Sequence, residues 1–183
     1  MSAVPTPEPS LAAALAAAAD DAAWRDAGKA GLAARRAELQ RRFEAGEAID
    51  RLVSLCCEAS DTVVASAWAR CLPADAPLQL LATGGYGRAE LYPQSDIDLL
   101  VLGEPAAQKA HEAAIGRFFS LLWDAGLATS QAVRSLAQCV EAAREDITVL
   151  TSLMECRALA GDEGAPAALA AALAPDVLWP PAA

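Results

Sequence analysis

Apolar residues recur at helical spacing over the first third of the chain, and the period changes sharply after Pro73. Ile49, Leu52, Val53, Cys56, Val63, Val64, Ala67, Trp68 and Cys71 share one helical face, which predicts a long core-facing helix stopped by Pro73. Upstream, Leu32, Leu39 and Phe43 face one way while Arg35, Arg36, Arg41 and Arg42 face solvent, so a charged helix is predicted from Lys29 to Phe43. Leu11 to Gly28 is alanine-rich and weakly amphipathic. Residues 1–10 hold three prolines and are expected to be a disordered tail. Beyond Pro73, "LQLLAT" and "DIDLLVLG" are short apolar runs that predict buried strands. Between them "GGYGRAELYP" predicts a glycine turn, a short helix and a proline stop. A helix is expected from Ala106 to about Ala125, with Ile115, Phe118, Phe119, Leu122 and Trp123 inward. "LATSQAVRSL" reads as a third strand and Gln138–Ala160 as one or two helices. No internal repeat is present. Helices, strand, strand, helix, strand, helices predicts an α/β (α+β) domain, a small mixed sheet flanked by helices. The expected division is a weak tail over 1–28, a helical extension over 29–74, a sheet-bearing core over 75–165 and a flexible low-complexity end over 166–183.

Composition narrows the functions available. At 183 residues and 55% hydrophobic content, one domain with a real core is expected. Fourteen Lys and Arg stand against 24 Asp and Glu, a net charge of −10. A nucleic-acid binder carries a basic footprint, so no nucleic-acid partner is expected. A protein partner, or a nucleotide carried by a divalent metal, suits this charge. The five cysteines are odd in number and form no C-x-x-C pair. They read as small apolar residues in a reducing cytoplasm rather than zinc ligands or disulfides. No basic n-region precedes the alanine run, and that run is too short to span a bilayer. A soluble cytoplasmic protein with no membrane partner is expected.

The chemistry concentrates in "GGYGRAELYPQSDIDLLVL". Alternate residues of a strand share a face, so Asp96 and Asp98 point the same way while Ile97 enters the core. Their Cα atoms lie roughly 6–7 Å apart by strand rise. Two carboxylates so placed can converge on Mg²⁺ or Mn²⁺, as in two-metal phosphoryl-transfer sites. Gly84 and Gly85 lack Cβ atoms and let backbone amides come close to a triphosphate. Arg88, expected in the first turn of the short helix, offers a fork for phosphate oxygens, with a surface ion pair as its plainer role. Ser95 can orient a carboxylate or a phosphate.

The arrangement of strand, Gly-Gly, helix, P-x-S and D-h-D resembles the polymerase beta-like nucleotidyltransferase superfamily. Its wording is closer still to bacterial PII uridylyltransferases, supported by "RRFEAG" at Arg41–Gly46 and by Trp123–Gly161. The likeness covers roughly Lys29 to Gly164. It implies the polymerase beta-like fold, with 75–165 as the nucleotidyltransferase core. It implies transfer of UMP from UTP to a tyrosine hydroxyl of a PII signalling protein, in nitrogen regulation. Asp96 and Asp98 would bind two Mg²⁺ or Mn²⁺ ions, and Gly84 and Gly85 would cradle the triphosphate. The preference for UTP comes from the resemblance alone.

Two departures from that family bear on activity. Family enzymes are several times longer, with an HD domain that removes UMP and two ACT domains that sense glutamine. This chain has one histidine, His111, so no HD metal site is encoded in it. The superfamily also places a third carboxylate on the strand after the return helix, where this chain reads "SQAVRS". Asp146 is the nearest candidate, and capping of the following helix is its plainer role. The alternatives are a fragment that folds and at most binds nucleotide, and a minimal antitoxin-type nucleotidyltransferase. The latter expects G-S-x-x-R-G where this chain has "GGYGR".

Overall fold

The computed structural model describes residues 10–179. The tail expected over 1–9 and the last four residues of "WPPAA" lie outside them.

Three helices come first: α1 (Leu11–Ala16), α2 (Asp21–Glu44) and α3 (Ile49–Cys71). The Ser10 hydroxyl and the Asp20 carboxylate cap α1 and α2, each accepting the backbone N–H three residues on. Helix α3 ends at Cys71 with Leu72 as its C-cap, just before Pro73, which cannot continue it. The stretch 10–28, expected to be only weakly helical, is α1 and the start of α2. It brings Leu15 and Trp24 fully into the core, and the Trp24 indole donates to Ser66 Oγ at 2.9 Å. Alanine dominates its surface, so the few large side chains that anchor it leave little periodic signal.

Asp21 ties this extension to the rest of the molecule. It accepts from Arg70 at 2.7 Å and from Arg117 at 2.7 and 2.9 Å. Those guanidiniums hold its carboxyl at about 2, below the usual 3.8. A carboxylate depressed in the folded state adds stability that is whole above about pH 4 and is lost as pH falls toward its folded pKa. Asp21→Asn is therefore expected to lower Tm at neutral pH, with the gap to the parent closing between about pH 4 and pH 2. Thermal melts at stepped pH check this, and a gap that stays constant contradicts it.

The sheet follows as β1 (Gln79–Ala82), the short helix α4 (Gly84–Gly87) and β2 (Ile97–Leu102). Helices α5 (Pro105–Ala110) and α6 (Glu112–Asp124) cross over to β3 (Thr129–Arg134). Then come α7 (Leu136–Glu145), α8 (Ile147–Met154), β4 (Arg157–Ala160), α9 (Ala165–Ala172) and α10 (Pro175–Leu178). The strand order is β3-β2-β1-β4, with β2 and β3 parallel and the other two pairs antiparallel. The fold is a mixed α/β arrangement, helices around a four-stranded mixed sheet. Leu80, Ala82, Ile97, Leu99 and Val101 face the core built by α3 and α6. Leu81, Leu100 and Leu102 face a second core under α7, α8 and α9. Burial on both faces is why β1 and β2 read as continuous apolar runs rather than alternating ones.

Further features depart from the sequence reading, and Ile49 and Phe43, expected on inward helical faces, are exposed. Strand β4 falls inside a stretch expected to be helical; "RALA" is too short and too poor in β-branched residues to signal a strand. Trp123, expected in the core, is 52% exposed and donates its indole N–H to Thr129 Oγ1 at 2.7 Å. The end expected to be loose is helical as far as it is described, because Leu169, Leu173 and Leu178 complete the second core. All five cysteines are free, and burial pushes the Cys57 and Cys139 thiols up to about 11. Among the described residues no helix is long and apolar enough to cross a membrane.

Candidate active site

Strands β1 and β2 are antiparallel neighbours, so the end of β1 meets the start of β2. The glycine turn leaves one and the aspartates enter the other, which brings the two halves of the quoted motif together. The Thr83 N–H donates to the Asp98 carbonyl at 3.0 Å and fixes that junction. Gly84 follows with φ +57°, a conformation that L side chains rarely adopt. A Cβ at Gly84 would stand 3.2 Å from Asp98 Oδ2 and 3.3 Å from Ser152 Oγ. The bare backbone of the turn thus lies directly against the Asp98 carboxylate.

Asp98 is half-buried within β2, and its partner across the parallel register is Ser130 of β3. Burial pushes its carboxyl above the usual range, the Ser130 hydroxyl opposes that, and the nearby Asp96 charge adds to it. Asp96 is exposed, one residue ahead of the strand. A desolvated carboxylate is thus set beside a second one, and no basic side chain contributes to the balance at Asp98. Such a pair is costly on its own and suits a hard divalent cation with oxygen ligands. Among the described residues no three His, Cys, Asp or Glu side chains are arranged to hold a metal ion, so these two are not joined by a third ligand.

Between this face of the sheet and α8 lies a cleft of about 140 Å³, lined among others by Thr83, Asp98, Ser130, Arg134 and Ser152. Arg134 is the cation of that lining and enters none of the ion pairs among the described residues. Three hydroxyls, one cation and one carboxylate can hold a hydrated metal–phosphate group.

The remaining residues singled out by sequence fall elsewhere. Arg88 is the C-cap of α4 rather than part of its first turn, because the helix begins at Gly84 itself. Its guanidinium pairs with Glu90 at 2.8 Å and with Glu155. Gly85 packs its bare face toward the Glu90 carbonyl, where a Cβ would stand at 3.3 Å. Ser95 is exposed and lines a separate cavity of about 540 Å³ with Leu32, Phe43 and Tyr92, not the Asp98 cleft. Asp146 caps α8, accepting from the Thr148 N–H and Oγ1 at 2.7 Å each. Those bonds hold its carboxyl below the usual range. Tyr86 is buried and Tyr92 exposed. Thr83, Ser130 and Ser152 carried no signal in the sequence, since their place depends on strand register and on the packing of α8.

No family model matches the chain. Over 165 residues it is 55% identical to the bifunctional uridylyltransferase/uridylyl-removing enzyme of Xanthomonas campestris pv. campestris strain B100. The enzyme of the same name from Xanthomonas oryzae pv. oryzae strain MAFF 311018 is 51% identical over 175 residues. That from Stutzerimonas stutzeri strain A1501 is 44% identical over 146 residues. The first alignment takes in 90% of this chain and 19% of the relative, so the chain spans about a fifth of the length of the curated relatives it matches. The chain is homologous to that segment of them.

Proposed function

From that homology we propose that the chain is the metal-dependent nucleotidyl-transferring part of a uridylyltransferase. It moves UMP from UTP to a tyrosine hydroxyl of a PII signalling protein and releases pyrophosphate. The observation that carries the proposal is Asp98, half-buried, near the charge of Asp96, and packed against the glycine turn. In the same proposal the fold is polymerase beta-like, 75–165 is the transferase core, and the protein works in the cytoplasm.

Asp96 and Asp98 would hold Mg²⁺ or Mn²⁺, which when bound would supply charge neutralisation for the triphosphate. The backbone of Gly84 gives the triphosphate a close approach that a side chain there would obstruct, and the Gly85 backbone continues the same turn. Thr83, Ser130 and Ser152 donate hydroxyl hydrogen bonds, and Arg134 offers its fork to a phosphate oxygen. Arg88, engaged by Glu90 and Glu155, takes a phosphate only by leaving one of them. The acceptor oxygen forms its bond to the α-phosphorus in line with the departing pyrophosphate. Positioning and electrostatics supply the rate.

A second reading has the chain bind nucleotide without turning it over. The absence of a third acidic, His or Cys ligand beside Asp96 and Asp98 among the described residues favours it. Calorimetric titration with UTP, in Mn²⁺ and then in EDTA, tests what both readings share. Binding that requires the metal is expected, and binding that ignores it contradicts the site. Turnover then separates the two.

A further inference from the structure

On the opposite face of the sheet, behind the glycine turn, one guanidinium joins three elements. Arg157 of β4 reaches Asp61 of α3 through two bonds, Nη1 to Oδ2 at 3.0 Å and Nη2 to Oδ1 at 3.1 Å. The same Nη2 donates to the backbone carbonyl of Tyr86 at 3.3 Å and touches Cys57 Sγ at 3.5 Å. Tyr86 stands between Gly85 and Gly87, inside the turn, and its ring lies under the guanidinium at 5.5 Å. Burial, then Asp61, holds its phenol neutral far above the usual range.

The cluster is incompletely satisfied. Tyr86 Oη and Arg157 Nε are both buried with no hydrogen-bond partner among the described residues. An ion pair that leaves such atoms unsatisfied gains little over an apolar packing of the same shape. What it does fix is position. Glycines on both sides of Tyr86 leave the turn few side chains to anchor it, and the Tyr86 ring and carbonyl are the handles that Arg157 grips. On the other side of the sheet the same turn lies against Asp98, within 3.2 Å of a would-be Gly84 Cβ. Asp98 keeps its own place in β2, so a displaced turn changes the surface offered to the triphosphate rather than the carboxylate.

We infer that the Asp61–Arg157 pair is a positioning device that sets the glycine turn for the nucleotide triphosphate, a role that rests on the transferase reading of the site. The fork is what matters. Lysine keeps the charge but cannot serve Asp61 through two bonds and the Tyr86 carbonyl at once.

The test compares the parent, Arg157→Lys and Asp61→Asn in two titrations, Mn²⁺ alone followed by electron paramagnetic resonance and UTP with Mn²⁺ by calorimetry. Thermal melts accompany both. Mn²⁺ alone probes the aspartates, which neither substitution touches; UTP probes the turn. In both variants a loss of UTP affinity on the order of tenfold is expected, with Mn²⁺ affinity unchanged. UTP affinity equal to the parent's in both folded variants overturns the inference. So does a parallel loss of Mn²⁺ and UTP binding with a collapsed Tm, which marks a purely structural role. A parent that binds Mn²⁺ but never UTP overturns the transferase reading instead, and the inference falls with it.

Discussion

Asp98→Asn is expected to abolish metal-dependent UTP binding while the protein stays folded. Asparagine keeps the shape of the side chain and its place beside Ser130 but removes the charge that a hard divalent ion requires. The loss is expected to be on the order of 100-fold or more, because only Asp96 is left to bind. Stability should hold or rise. Burial and the nearby Asp96 both disfavour the Asp98 carboxylate in the folded protein, so neutralising it removes a cost. Calorimetry in Mn²⁺ reads the first effect and thermal melts read the second. Asp96→Asn should weaken binding as well, with less change in Tm, since Asp96 is exposed. Parent-like UTP affinity in both variants would remove the site from this pair of residues.

Gly87→Ala is expected to be the most damaging single methyl in the turn. An added Cβ there would overlap the backbone carbonyl of Glu155 and stand 3.1 Å from the Ala82 carbonyl oxygen. Both obstacles are main chain, one at the C-cap of α8 and one in β1, so neither can swing aside. Overpacking of this kind costs about 3 kcal/mol or more. For a domain of this size that is a fall in Tm of roughly 10 °C. Gly116→Ala is the matched control. It sits on an exposed face of α6 with nothing within 4 Å of the added methyl. Helix propensity alone should make it neutral or stabilising by about 0.5–1 kcal/mol. Equal melting temperatures for the two variants would contradict the packing of α4 against α8.

The pattern of the chain carried the central helix and three of the four strands. Helix α3 shows nine apolar residues at a clean helical period, and β1, β2 and β3 are bounded by turn residues. What stayed hidden is what tertiary context decides. Strand β4 is four residues long and owes its pairing to the neighbouring edge of β1. Trp123 counts as apolar in any pattern, yet its indole N–H finds Thr129 at the surface. Leu15 and Trp24 are single anchors in an alanine background. The candidate site divides in the same way. Asp96, Asp98 and Gly84 stand out because a local motif brings charge and a positive φ to one strand junction. Arg88 and Ser95 lie in the same motif and turn elsewhere, since a quoted stretch does not fix side-chain direction. Ser130 and Ser152 join Asp98 only through register and helix packing. Asp61 and Arg157, 96 residues apart in sequence, meet only in the fold.

The measurement that bears most directly on the proposed activity is transfer of α-labelled UMP from UTP to purified PII protein, in Mg²⁺ or Mn²⁺. It is made with the parent chain and with an Asp96→Asn/Asp98→Asn double variant. Label on PII with the parent and none with the double variant is the expected result. Equal labelling by both would contradict the assignment of Asp96 and Asp98. No labelling by a folded, UTP-binding parent would contradict transfer by this chain and leave the nucleotide-binding reading in its place.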